Sequence, residues 1–301
     1  GRPNIAVIYA NGGMMMGEGV RGSSIGAESL ASAIREARLN PMVDAVVLRV
    51  NSGGGSALAS DIIAREVALC AEGPRSKPVV VSMAGVAASG GYMIAAPGAE
   101  ILATPATITG SIGVIAIIPD VSGLLEKYAV GSETVTTAES ADTPNIFRPL
   151  SESEEERIRR SVMERYDTFI ELVALERDME AEDVDAVAQG RIWTGEQAVD
   201  RGLVDGIGGL ADALDLAESL AGVRDARVLE INPGRMGWLM PGMPNVMAAF
   251  LGLEKPSPTD LLPDDLEDVI EFYRSLAAYE RGEALYMMPY TLEEMGLIDE
   301  E

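Results

Sequence analysis

The sequence predicts an α/β protein built from repeated β-α-β units, and three observations carry that expectation. Apolar, β-branched runs recur at residues 5–9, 45–50 and 79–81, each of a length that suits a buried strand. Stretches with apolar residues at helical spacing separate them. Small-residue turns, Ser52-Gly53-Gly54-Gly55-Ser56 and Ser89-Gly90-Gly91, stand where a strand hands over to a helix. With 301 residues, 47% of them hydrophobic, and a mean hydropathy of +0.13, the chain has ample material for a core.

Taken in order, residues 4–10 read as a strand and residues 11–24 as a Gly/Met-rich loop. A helix over 29–39 places Leu30, Ala33, Ile34 and Ala37 on one face, and Pro41 closes it. The strand over 45–50 runs into the glycine turn and a helix over 58–71. The run at 79–81 opens the stretch around which the chain is organised: small residues, Ala84-Gly85-Val86-Ala87-Ala88, carry the backbone to Ser89. Residues 92–96 then wind as a short helix until Pro97 stops it. Further strands are expected at 101–104, 112–118 and 133–137, with helices at 121–128, 152–176, 182–189 and one ending at Leu220. Residues 138–150 form a polar loop with two prolines. In the long helix, Ile158, Val162, Phe169, Leu172 and Val173 stand among acids and arginines, the pattern of a solvated amphipathic helix. From Pro233 the texture changes to a Met-, Gly- and Pro-rich stretch, with one amphipathic helix expected over 266–278. Residues 1–232 therefore form the main domain, and 233–301 a mainly helical extension suited to packing or subunit contact.

Composition narrows the chemistry. A formal net charge of −25 argues against nucleic-acid binding, which needs Lys and Arg to neutralise phosphates. The lysines are three, Lys77, Lys127 and Lys255, and an acid-rich, lysine-poor surface is one that high salt tolerates. Cys70 is the single cysteine, so no internal disulfide forms, and it is expected to pack on a helix. No apolar run reaches the roughly 18 residues of a membrane span. The chain opens on Gly1-Arg2-Pro3 and a strand, without a starting Met, so an excised or processed piece with sequence upstream is expected. It contains no histidine, which removes Ser-His-Asp and Cys-His triads and, with one Cys, the usual zinc sites.

Ser89 is the candidate nucleophile. A serine at a helix start meets free backbone N–H groups, which favour the negative charge of a developing oxyanion. The Gly53-Gly54-Gly55 turn matches neither G-x-x-x-x-G-K-[ST] nor G-x-G-x-x-G, which leaves a tight turn or a cradle of N–H groups for an oxyanion.

Four segments stand in order: Val50-Asn51-Ser52-Gly53-Gly54-Gly55, Ala87-Ala88-Ser89-Gly90-Gly91-Tyr92, Thr109-Gly110-Ser111-Ile112-Gly113 and Gln189-Gly190-Arg191-Ile192-Trp193-Thr194-Gly195. Together they resemble the signal peptide peptidase A family, serine proteases of the ClpP/crotonase-type fold, over roughly residues 4–220. The resemblance implies a Ser-Lys dyad with Ser89 as nucleophile, an oxyanion hole from the N–H groups of Gly55 and Gly90, and Ser111 orienting the general-base lysine. It also implies no cofactor, peptide substrates such as cleaved signal peptides, a homo-oligomer, and a place at the membrane on its periplasmic or extracytoplasmic face. Ser89 also has a plainer reading as a small residue in a packed turn, and Ser111 as a turn cap.

The lysine departs from the pattern. In short family members it lies in the loop that here is residues 138–150, and this loop has none. Arg148 does not replace it, because a guanidinium keeps its proton. Lys77 is expected as a solvent-facing strand flank, Lys127 in a helix and Lys255 in the tail. Long members carry two similar halves, serine in the second and lysine in the first. The chain resembles such a second half, completed by an upstream lysine-bearing domain. Two other readings remain: a non-catalytic peptide-binding scaffold, and a crotonase-like acyl-CoA enzyme.

Overall fold

The computed structural model describes residues 2–20, 23–138, 140–231 and 285–287. The elements follow as β1 (Asn4–Asn11), β2 (Gly13–Met15), β3 (Ser24–Gly26), α1 (Ala27–Leu39), β4 (Ala45–Ser52), β5 (Gly54–Ser56) and α2 (Ala57–Ala71). Next come β6 (Val79–Ala88), α3 (Gly90–Ala95), β7 (Glu100–Ala103), β8 (Ile108–Gly110), α4 (Ser122–Lys127), α5 (Glu152–Glu176) and α6 (Ala181–Val187). The chain continues through β9 (Ile192–Thr194), α7 (Gly195–Val199), β10 (Gly206–Ile207), α8 (Leu210–Ala221), β11 (Arg227–Ile231) and β12 (Leu285–Met287).

The main sheet runs β10-β7-β6-β4-β1-β11 with every neighbour parallel, so each connection crosses over. Parallel strands covered on both faces read as unbroken apolar runs, which is why 45–50 and 79–81 carry no polar alternation. Alternate residues still part to opposite faces. Ile8, Val46, Leu48, Val81 and Met83 belong to the larger core with α1, α2, α3 and α5, whereas Ile5, Val7, Ala45, Val47 and Val80 meet Ala213 and Ala217 of α8. Burying each of these valines, leucines and isoleucines contributes about 1.5–3 kcal/mol before conformational entropy is set against it. Cys70 is fully buried on α2, and burial pushes its thiol up to about 11.

β6 is the long element. Its first half pairs β4 and β7, while Val86, Ala87 and Ala88 pair β8. The small residues 84–88 thus continue the strand, with a register shift against β4 between Val50 and Ser52. β8 turns back against β9 antiparallel. A second sheet, β12-β5-β2-β3, stands beside the first.

Several expectations are corrected. Residues 112–118 form no strand beyond an isolated bridge at Ile115, because residues 108–110 take the place beside β6. Thr107 and Thr109 fix that choice by donating side-chain hydrogen bonds to the Ala84 and Ala87 carbonyls, each at 2.7 Å. Residues 133–137 are not a strand either: Val135 is 91% exposed, and β-propensity without a neighbouring strand forms no ladder. The loop read over 11–24 contains the short strands β2 and β3. Lys77 is half-buried, not a solvent-facing flank; its ammonium donates to the Ala37 carbonyl at 2.7 Å and to that of Asn40, capping the end of α1. The helix expected over 266–278 lies outside the described residues, as does most of the 233–301 extension.

Candidate active site

Ser89 ends β6 and precedes the first turn of α3, with φ 53° and ψ −118°. A positive φ in a residue with a Cβ costs on the order of 1–3 kcal/mol and persists only where the surroundings hold it. Here they do: the Ser89 N–H donates to the Gly110 carbonyl at 2.8 Å, and its own carbonyl accepts from Met93 N–H at 2.9 Å. Every residue of α3 is buried. Tyr92 anchors that helix by donating its phenol to the Leu203 carbonyl at 2.9 Å, and burial raises its pKa, so this phenol is no base.

Ser111 occupies the matching position on the neighbouring strand. The register pairs Ala88 with Gly110, so Ser89 and Ser111 leave β6 and β8 at the same level. Ser111 also has positive φ, 48°, after Gly110 at 76°. Its N–H donates to the Arg191 carbonyl at 2.7 Å, and Gly190 N–H to the Ile112 carbonyl at 2.9 Å. A Cβ on Gly110 would stand 2.7 Å from Trp193, whose indole donates to the Val187 carbonyl at 2.9 Å and lies under Arg201. The segment 189–195 is therefore the clamp behind Ser111, a role its sequence alone did not disclose.

The glycine turn closes the site from the β4 side. Ser52 Oγ accepts from Gly54 N–H at 3.1 Å, and Gly54 and Gly55 take φ of 105° and 148°, which only glycine adopts readily. A Cβ on Gly55 would lie 2.3 Å from the Met14 carbonyl oxygen, and one on Gly91 would lie 2.4 Å from that of Ser52. The missing side chains let β5 seat on β2 and let the first turn of α3 abut the end of β4. In this way the fold brings the Gly54–Ser56 strand and the Ser89-Gly90-Gly91 turn together.

The hydroxyls of Ser89 and Ser111 are 0% and 1% exposed by residue, and neither has a hydrogen-bond partner among the described residues. Leaving a buried hydroxyl unpaired costs about 1–3 kcal/mol. Two such groups at the ends of adjacent strands make a pocket lacking its third polar member.

No lysine among the described residues fills that place. Lys77 lies at the far end of the ten-residue β6, roughly 30 Å away at about 3.3 Å per residue. Lys127 sits on the exposed α4 over the Tyr128 ring. In the loop at 138–150, Arg148 is held between Asp142 and Glu154, at 2.8 Å to each. That guanidinium holds the Asp142 carboxyl down at about 2 and also lowers that of Glu154, while its own pKa rises. Nor is there, among the described residues, a group of three His, Cys, Asp or Glu able to hold a metal ion.

The arrangement suits acyl chemistry by a serine nucleophile: a strained, buried serine, a neighbouring hydroxyl, and backbone N–H groups of a glycine strand nearby. Comparison with known proteins gives that class its family. Residues 72–224 match the model of Peptidase family S49, and the chain belongs to this family. It is 46% identical to Protease 4 of Salmonella typhi over 217 residues, which cover 72% of this chain and 34% of that protein. It is 40% identical to the chloroplastic Serine protease SPPA of Arabidopsis thaliana, covering 74% and 33% of the two chains. It is 37% identical to the Putative signal peptide peptidase SppA of Enterococcus faecium, covering 75% and 65%. The chain thus spans about a third of the length of the first two relatives. Among solved structures it is similar to a point mutant of ClpP1 from Listeria monocytogenes, at 17% identity and a TM-score of 0.43 over 70% of this chain and 94% of that one.

Proposed function

We propose that this chain is the serine-bearing part of a serine endopeptidase that degrades cleaved signal peptides and short apolar peptides at the membrane. Its general-base lysine comes from a domain upstream of this chain. The observation that carries the reading is the pair of buried hydroxyls on Ser89 and Ser111, unpartnered among the described residues. A lysine amine entering between them would accept from Ser89 and be oriented by Ser111. A buried lysine loses its proton more readily, because burial disfavours the charged form.

In this scheme Ser89 Oγ attacks the peptide carbonyl as its proton passes to the lysine amine. The carbonyl oxygen, now negative, takes hydrogen bonds from the N–H groups of Gly55 and Gly90. Collapse breaks the C–N bond, the leaving amine takes the proton from lysine, and an ester remains on Ser89. Water, deprotonated by the same amine, then releases the acid. The names Protease 4 and signal peptide peptidase among the relatives support the substrate class. Placement on the periplasmic or extracytoplasmic face, and homo-oligomerisation, belong to the same proposal. No helix among the described residues is long and apolar enough to cross a membrane.

The test is turnover of a fluorogenic apolar peptide, with Ser89→Ala as background. The chain alone should match Ser89→Ala, and the parent protein that includes the upstream domain should exceed it. Turnover by the chain alone would place a base within it and refute the upstream lysine. Silence of the parent protein would favour the peptide-binding scaffold.

A further inference from the structure

We propose that the tail strand β12 is a tethered occupant of the groove that receives peptides, so that substrate binds by displacing it. This rests on the peptidase reading of the site. β12 pairs antiparallel with β5, matching Leu285 with Ser56, Tyr286 with Gly55 and Met287 with Gly54. β5 is the short strand that carries the proposed oxyanion glycine, and its other neighbour is β2. β12 also lies against α3, the helix that follows Ser89, and against α2.

A sheet edge without a partner presents a row of N–H and C=O groups to any extended chain, and peptide recognition by strand addition uses such an edge. In this protein the edge next to the Ser89 turn is taken by its own chain. The occupant resembles the proposed substrates: residues 284–290 read Ala-Leu-Tyr-Met-Met-Pro-Tyr, apolar and without charge. Backbone pairing is indifferent to sequence, so a tail and a substrate of like chemistry compete for one edge. A tethered competitor acts at an effective concentration on the order of millimolar. Against a free peptide that binds in the range of about 100 μM, that weakens apparent affinity on the order of tenfold.

The experiment uses the whole chain and a fluorescein-labelled octapeptide, Glu-Ala-Leu-Tyr-Met-Met-Pro-Tyr, the sequence of residues 283–290. Tyr286→Pro removes a backbone N–H from the middle of β12. Anisotropy should show the probe binding Tyr286→Pro about tenfold more tightly than wild type, and amide exchange at residues 54–56 should accelerate in the variant without probe. In wild type, saturating probe should accelerate exchange at residues 285–287, a readout that needs no variant. Equal probe affinity for the two chains, or wild-type exchange at 285–287 unmoved by bound probe, would overturn the competition and leave the peptidase reading standing. Absence of probe binding to either chain would overturn it as well, and would count against a peptide groove at this edge.

Discussion

Replacing Ser89 with glycine should make this chain more stable, although it removes the residue on which the proposed chemistry depends. Ser89 holds φ at 53°, a conformation that costs a residue with a Cβ about 1–3 kcal/mol and glycine almost nothing. Its hydroxyl is buried with no partner among the described residues, a second cost of about 1–3 kcal/mol, and it makes no side-chain cap to α3 that the substitution would lose. Glycine's extra freedom in the unfolded chain takes back about 0.5–1 kcal/mol. The balance is a gain of about 2 kcal/mol, a rise in Tm of roughly 4–8 °C for a domain of this size. Ser89→Ala removes the hydroxyl and keeps the strained φ, so it should gain about 1 kcal/mol. Urea unfolding followed by circular dichroism, with the slope unchanged, measures both. A Ser89→Gly chain no more stable than Ser89→Ala would refute the strain, and loss of stability in both would refute the unpaired hydroxyl.

Tyr92→Phe strands the buried Leu203 carbonyl and should cost about 1–3 kcal/mol in the same urea experiment; a change under about 0.5 kcal/mol would remove the anchor from the account. Arg148 holds the Asp142 carboxyl down at about 2, so its contribution is complete above the ordinary carboxylate pKa and is lost as pH falls through about 2. Acid unfolding of wild type should therefore steepen from about pH 4 toward pH 2, and Arg148→Met should lack that component while being less stable at pH 7. Cys70, buried and with its pKa pushed up to about 11, should react with iodoacetamide at pH 8 at least about 100-fold more slowly in the folded chain than in urea. Equal rates would show that the α2 face opens readily.

The parts of the fold that were legible are those whose pattern is local. The strands at 45–50 and 79–81 announce themselves because a parallel strand covered on both faces is apolar throughout, and α5 matches its expected bounds of 152–176 because Ser151 and Glu154 form a capping box at its start. Residues 112–118 and 133–137 misled because β-branched residues state a preference and not a partner; the pairing was decided elsewhere, by two threonines bonded to β6. Lys77 misled for a like reason, since the carbonyls it caps come from α1, about 40 positions away in the chain. In the site, Ser89 and the glycine turn were readable from a strand ending in small residues. The clamp of Arg191 and Trp193 on Ser111 depends on an antiparallel pairing some 80 residues distant, which no local pattern carries.

The central claim is that Ser89 is a nucleophile made competent by a lysine outside this chain, and intact-mass spectrometry after treatment with a fluorophosphonate tests it most directly. The account predicts no adduct on the chain alone within the time in which the parent protein, upstream domain included, gains a single adduct that maps to Ser89. An adduct on Ser89 of the chain alone at the same rate, or an adduct on a different serine of the parent protein, would contradict it.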